Sequence, residues 1–173
     1  MLARGDGSPE PPDGADGVGQ RAGSELRRLQ QIGVKYSRRS QMSANTVLAG
    51  SVLLLDSLGE LASVYALADV AFVGGSLVPR GGHNILEPAH WGVATVVGPH
   101  TENFRDIIGI FRQGNAVRVV APVAFGPTLL SLLSKDDDRR ALGLRAREIV
   151  TQQAGATQRT LAEIRALLLG GVQ

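Results

Sequence analysis

Cysteine is absent from the sequence, which excludes disulfides, thiolate catalysis and metal ligation through sulfur. That absence suits a reducing compartment. Aromatic residues make up only 4% of the chain, too few to build a platform on which nucleic-acid bases stack. Neither sign of charge dominates: 18 Lys and Arg stand against 16 Asp and Glu. A formal charge of +2, with no basic residues gathered on one element, is not the footprint of a nucleic-acid binder. The pairs Arg27-Arg28, Arg38-Arg39 and Arg139-Arg140 read as solvated faces. No apolar run approaches the ~18 residues that would cross a bilayer. The N-terminus also lacks a charged-then-apolar signal pattern. These absences lead to the expectation of a soluble, cytoplasmic chain with no transmembrane segment and no nucleic-acid partner.

What the chain does have is aliphatic residues, in a pattern. Hydrophobic residues are 43% of 173, enough to bury the core of about one domain. Nine of the first 23 residues are Gly or Pro, and they carry no apolar period. Residues 1–23 are therefore expected to be a disordered start, with the folded domain running over 24–173. From Ser24, a plausible N-cap, Leu26, Leu29 and Ile32 recur at helical spacing. Short continuous apolar runs follow at Val52–Asp56, Val70–Gly75, Ala94–Pro99 and Ala116–Val120, as strands buried on both faces would read. Helical stretches separate them: LGELASVYALADV, Ile85–Trp91 and NFRDIIGIFRQG. Three more are expected at Pro127–Leu133, Asp136–Gln152 and Gln158–Leu169. Such alternation predicts an α/β fold, a Rossmann-like, doubly wound parallel sheet with a C-terminal helical tail.

In an open sheet of this kind, ligands bind beyond the carboxyl ends of the strands. Three glycine-bearing loops follow strands, DSLGE, GGSLVPRGGHN and GPHTENF, and are expected to converge on one edge. The second is the richest. Gly81 and Gly82 would let a phosphate approach the backbone with no Cβ in the way. They precede a helix start whose free N–H groups favour an anion. Asn84 and Glu87 sit in its first turn, where Glu87 either accepts hydrogen bonds from a ribose diol or completes a capping box. His83 either braces the loop or touches ligand, and Glu60 either caps its helix or meets ligand. Gly74-Gly75 and Gly81-Gly82 can also be read as turn glycines alone. His90 and Trp91 read as structural, Trp91 in the core, and His100 as a weaker site candidate. The spacing matches neither GxGxxG nor GxxxxGK[ST], so dinucleotide and P-loop sites fail at the motif level. No Ser-His-Asp order and no HExxH occurs.

These residues together carry a resemblance. Leu54-Leu55-Asp56-Ser57-Leu58-Gly59-Glu60-Leu61, Tyr65, Ala68-Asp69, FVGGSLVPRGGHNILEP and GPHTENFRDI resemble the C-terminal half of 3-deoxy-D-manno-octulosonic acid (Kdo) transferases. The likeness runs from about Arg38 to the Gly155-Ala156 region. It implies the GT-B architecture, two Rossmann-like domains with the active site in the cleft between them. It also implies a glycosyltransferase that moves Kdo from CMP-Kdo to a lipid A precursor in lipopolysaccharide synthesis, at the cytoplasmic face of the inner membrane, with no cofactor and no metal.

By matching motif positions, the resemblance makes Leu58, Gly59 and Glu60 donor contacts in the first loop, and Asn84, Ile85, Leu86 and Glu87 in the second. Ser76, Gly81, Gly82 and His83 complete the candidate CMP-sugar site. Ser57-Leu58-Gly59-Glu60-Leu61 (SLGEL) stands where the family usually has TMGEL, and NILEP where it has NPLEP. The acceptor domain with its catalytic carboxylate is expected to be missing from this chain, so no catalytic residue is assigned. A truncated or split-enzyme fragment, and a GT-B enzyme using a UDP-sugar, are the alternative expectations.

Overall fold

Short aliphatic runs fold here as parallel strands, because each is too short for a stable helix and is flanked by glycine or turn residues. The computed structural model describes residues 26–43 and 49–170, with side chains described at all of these except 155–163 and 166–170. The Gly/Pro-rich start and the Ser24 cap lie outside the described residues. The chain divides into two compact units after Leu61.

The first unit contains helix α1, described over residues 26–31, and two parallel strands. These are β1 (Tyr36–Arg38) and β2 (Val52–Leu54), with Tyr36 opposite Val52 and Arg38 opposite Leu54. A short 3₁₀ turn, Arg39–Gln41, leaves β1. β1 is absent from the expected strands because VKYSRR has no continuous apolar run. None of its residues is buried, so nothing in its composition announces a sheet.

The second unit takes up the chain at Ala62, within α2 (Leu61–Val64), which tightens into a 3₁₀ turn at Tyr65–Leu67. It then alternates β3 (Val70–Phe72), α3 (Leu86–His90), β4 (Ala94–Val97), α4 (Arg105–Gln113) and β5 (Arg118–Val119). Two helices finish it, α5 (Pro122–Ser134) and α6 (Asp136–Gly170). The strands run parallel in the order β3-β4-β5, with Val70 opposite Ala94 and Val96 opposite Arg118. β4 is the central strand, and all four of its residues are buried.

Side chains on β4 alternate between two apolar clusters, as the period of two requires. Ala94 and Val96 pack with Leu132 of α5 and Leu142 of α6. Val97 faces the other side, among Ile85, Ala89, Ile108 and Phe111 from the α3 and α4 region. Both faces of the sheet are thus covered by helices, the doubly wound arrangement. Each fully buried side chain of this kind contributes about 1.5–3 kcal/mol.

Helix ends follow local chemistry. Gly92 follows α3 with φ +71, and its N–H bonds to the Ala89 carbonyl while that of Val93 bonds to Pro88. That is the Schellman pattern, which glycine adopts without a Cβ penalty. α4 ends the same way with Asn115 in the left-handed position. Three expectations differ from the structure. α5 starts at Pro122, which takes the first helical position, so Pro127 lies inside the helix rather than at its start. α6 is one continuous helix rather than two, since a lone Gly155 costs only about 1 kcal/mol. Trp91 is 46% exposed, with its indole N–H donating to the Ala62 carbonyl at 2.6 Å, rather than in the core.

Candidate functional site

The loops that follow β3 and β4 lie against one another. Ser76 is completely buried and links them: its hydroxyl donates to the Val73 carbonyl at 2.6 Å and accepts from the Gly98 N–H at 2.9 Å. Its carbonyl accepts from the His100 N–H at 3.0 Å. With both hydroxyl capacities used inside the fold, the Ser76 side chain shapes the loop from beneath and presents nothing at a surface.

Gly81 and Gly82 are buried with φ of +79 and +74. A Cβ on Gly81 would fall 2.4 Å from the Asn103 side chain, and one on Gly82 would fall 3.2 Å from the His100 carbonyl oxygen. The space these glycines keep open is therefore filled by the loop after β4, which also donates the Asn103 N–H to the Gly81 carbonyl. The sequence reading gives this space to a phosphate; in the structure the loop after β4 occupies it. His83 is exposed, and its ring lies 3.1 Å from where a Cβ on Gly75 would be, which suits a bracing role. Among the described residues the N–H groups of His83 and Asn84 form no backbone bond.

Asn84 is half-buried, and its side-chain oxygen accepts from the Leu86 N–H at 3.0 Å, turning the chain into α3. Ile85 is completely buried, and Leu86 packs against the same apolar cluster, so both anchor the turn. Glu87 is half-buried in the first turn of α3 and makes no hydrogen bond or ion pair among the described residues. The reciprocal half of a capping box is therefore not formed. Tyr65 is held above the usual phenol range, first by burial and then by the charge of Glu87. At five residues, α3 contributes an electrostatic field only through its end groups.

Of the other histidines, His90 packs edge-on against Trp91, and the His100 Nδ1 lies 3.5 Å from Glu102. Among the described residues, no group of three or more potential ligands could hold a metal ion. None of their helices is long and apolar enough to cross a membrane.

The first loop, Ser57 to Glu60, belongs to the other unit. Leu58 is 82% exposed, and Gly59 has open space where a Cβ would stand. Glu60 accepts from the Arg39 guanidinium at 2.7 Å and from the Ser57 hydroxyl. The Ser57 bond first, and then Arg39, hold its carboxyl below the usual glutamate range. Just before the loop, Asp56 accepts from the Ser40 hydroxyl at 2.7 Å, the Ser40 N–H at 2.9 Å and Arg38 Nε at 2.7 Å. Led by Ser40, these bonds bring its pKa down to about 2, against the opposing effect of burial.

Sequence reasoning treated Arg38-Arg39 as a solvated face. The structure corrects this: both side chains are in ion pairs, Arg38 with Asp56 and Arg39 with Glu60. The available signal was two acidic residues, Asp56 and Glu60, leaving the next predicted strand. A cleft of about 370 Å³ between β5, α5 and the start of α6, lined among others by Arg118, Thr128, Ser131 and Asp138, involves none of the predicted residues.

No family model matches the chain. It is similar, at 40% identity over 143 residues, to a 3-deoxy-D-manno-octulosonic acid transferase of Bordetella pertussis, covering 82% of this chain and 33% of that protein. The corresponding enzyme of Haemophilus influenzae is 39% identical over 112 residues, 64% of this chain and 26% of that protein. The chain thus spans a third or less of the length of these curated relatives. Among solved structures it is similar to the C-terminal CMP-Kdo binding domain of WaaA from Acinetobacter baumannii. That likeness has a TM-score of 0.69 and 38% identity, over 77% of this chain and 69% of that one. On these likenesses in sequence and in fold, the chain belongs to the 3-deoxy-D-manno-octulosonic acid transferase family of GT-B glycosyltransferases and corresponds to its C-terminal domain.

Proposed function

We propose that this chain is the donor-binding domain of a glycosyltransferase that moves Kdo from CMP-Kdo to a lipid A precursor. The observation that carries the reading is the likeness, at 38% identity and a TM-score of 0.69, to a domain described as binding CMP-Kdo. The local chemistry supports it. Glu87 offers a half-buried carboxylate with no partner among the described residues, suited to accept from ribose hydroxyls. The N–H groups of His83 and Asn84, outside the backbone ladder, are suited to an anionic oxygen. As the glycosidic bond breaks, negative charge grows on the departing cytidine monophosphate, and fixed N–H donors offset it. In this reading the base that activates the acceptor hydroxyl belongs to the other GT-B domain, and transfer takes place at the cytoplasmic face of the inner membrane.

Calorimetric titration with CMP and with UDP tests the proposal. CMP is expected to bind at least about tenfold more tightly, a difference of about 1.4 kcal/mol. A preference for UDP would overturn the assignment. Glu87→Ala is expected to abolish detectable CMP binding while the thermal melt stays within a few degrees of wild type. Unchanged CMP affinity with a lowered melting temperature would reduce Glu87 to a helix-stabilising residue.

A further inference from the structure

The loop Leu58-Gly59-Glu60 has little support of its own. Leu58 is exposed, a Cβ on Gly59 would meet nothing within 4 Å, and among the described residues no turn or loop backbone–backbone bond involves Ser57, Leu58 or Gly59. A loop that orients a ligand needs its geometry held by neighbours. Here the support comes from the adjacent strand. β1 and β2 are parallel with Arg38 opposite Leu54, so Arg38-Arg39-Ser40 leaves one strand beside the point where Asp56 leaves the other.

Both ends of the loop are tied to that one segment. At the start, the Asp56 carboxylate is only 3% exposed and takes three hydrogen bonds from Arg38 and Ser40, all between 2.7 and 2.9 Å. At the end, Glu60 takes the Arg39 guanidinium and the Ser57 hydroxyl. Adjacent arginines thus hold two carboxylates four residues apart.

We propose that Arg38-Arg39-Ser40 is a positioning clamp for the 57–60 loop, with Asp56 as its fixed anchor and the Arg39–Glu60 pair as its adjustable end. The inference rests on the donor-binding reading of that loop. The two ends differ physically. A buried carboxylate stripped of its donors is strongly unfavourable, so Asp56 keeps them. Both partners of the Arg39–Glu60 pair are more than a third exposed, where ion pairs contribute little net stability. That end can re-pair with a ligand hydroxyl or an anionic oxygen while the anchor holds. Asp56 and Arg38 are therefore positioning residues that act through Glu60 and its loop.

The test combines ¹⁵N relaxation with CMP calorimetry on the whole chain, for wild type, Asp56→Asn and Ser40→Ala. In wild type the 57–60 amides should be as rigid as the strands, with order parameters of about 0.85, and Asp56→Asn should drop them below about 0.6. Residues 36–38 and 52–54 should stay rigid, which a general loss of structure would not allow. CMP affinity should fall about tenfold in Asp56→Asn and about threefold in Ser40→Ala, which keeps the carboxylate and its backbone bond. If Asp56→Asn fails to fold, Ser40→Ala decides alone by its effect on loop order. A 57–60 loop that is already mobile in wild type, or one that stays rigid in the variants with unchanged CMP affinity, overturns the clamp. Failure of wild type to bind CMP would sink the donor reading instead, and loop order would still judge the clamp.

Discussion

Up to Leu61, no described apolar side chain is buried, the Asp56 carboxylate alone is nearly closed off from water, and the strand ends are joined by Asp56 and Glu60 to Arg38, Arg39 and Ser40. From Ala62 onward, β4 is buried along its whole length, and its neighbouring loops are joined by Ser76, by backbone bonds and by glycines. Both regions place candidate ligand-binding residues after parallel strands, yet different forces hold them. The first region depends on charges that titrate and that salt screens. The second depends on excluded water and close packing, which neither pH nor moderate salt changes much. Nearly the same local pattern of strand and loop can therefore be stabilised in two ways, with different sensitivities.

The largest effect should separate the regions outright. A Cβ on Gly143 of α6 would lie 1.8 Å from the Gly92 carbonyl oxygen, backbone against backbone. Gly143→Ala must push α6 from the end of α3, and should cost about 3 kcal/mol or more in denaturant unfolding followed by Trp91 fluorescence. If the Ser40 amide resonance, which reports its bond to Asp56, also moves, the two regions unfold as one and the comparison breaks.

Ser76→Ala should have a smaller effect in the second region. It removes one bond to Val73 and leaves the buried Gly98 N–H unpaired, a loss of about 1–3 kcal/mol. The loss should be the same at pH 7 and pH 4, because no titrating group takes part. A strong pH dependence of this difference would contradict the division drawn above.

The smallest effect is acid-specific and confined to the first region. Asp56 has a folded pKa of about 2, below its ordinary value. Its stabilising contribution is therefore complete above the ordinary aspartate range and is lost as pH falls through about 2. The Ser40 amide should shift with a midpoint near pH 2, while signals from the Phe111 core hold through pH 4. A midpoint near the ordinary aspartate value would show that the three donors do not favour the charged carboxylate.

Much of the second region was legible because its signals are local. The aliphatic runs at Val70–Phe72 and Ala94–Val97 became strands, and the turn at Asn84 did lead into a helix. Strand β1 was not legible, since Tyr36-Ser37-Arg38 looks like any polar surface segment until β2 lies beside it. The Arg38-Arg39 pair was misread for the same reason. Its partners are 18 and 21 residues away, beyond any periodicity. The glycine pair shows the boundary between the two kinds of knowledge. Gly81-Gly82 announced a close approach, but only the fold brought Asn103 and the His100 carbonyl into the gap.

By itself, the sequence determined the aliphatic strands of the second region, the α/β alternation and the family. All of these follow from steric preferences and side-chain order within a few residues. The tertiary structure decided partners: which carboxylate each arginine meets, what fills the space beside each glycine, that Ser76 points inward, and that Glu87 is left without a partner among the described residues. Those outcomes depend on distances between segments far apart in the chain. They are set by packing and hydrogen-bond satisfaction across the whole fold rather than by any local rule.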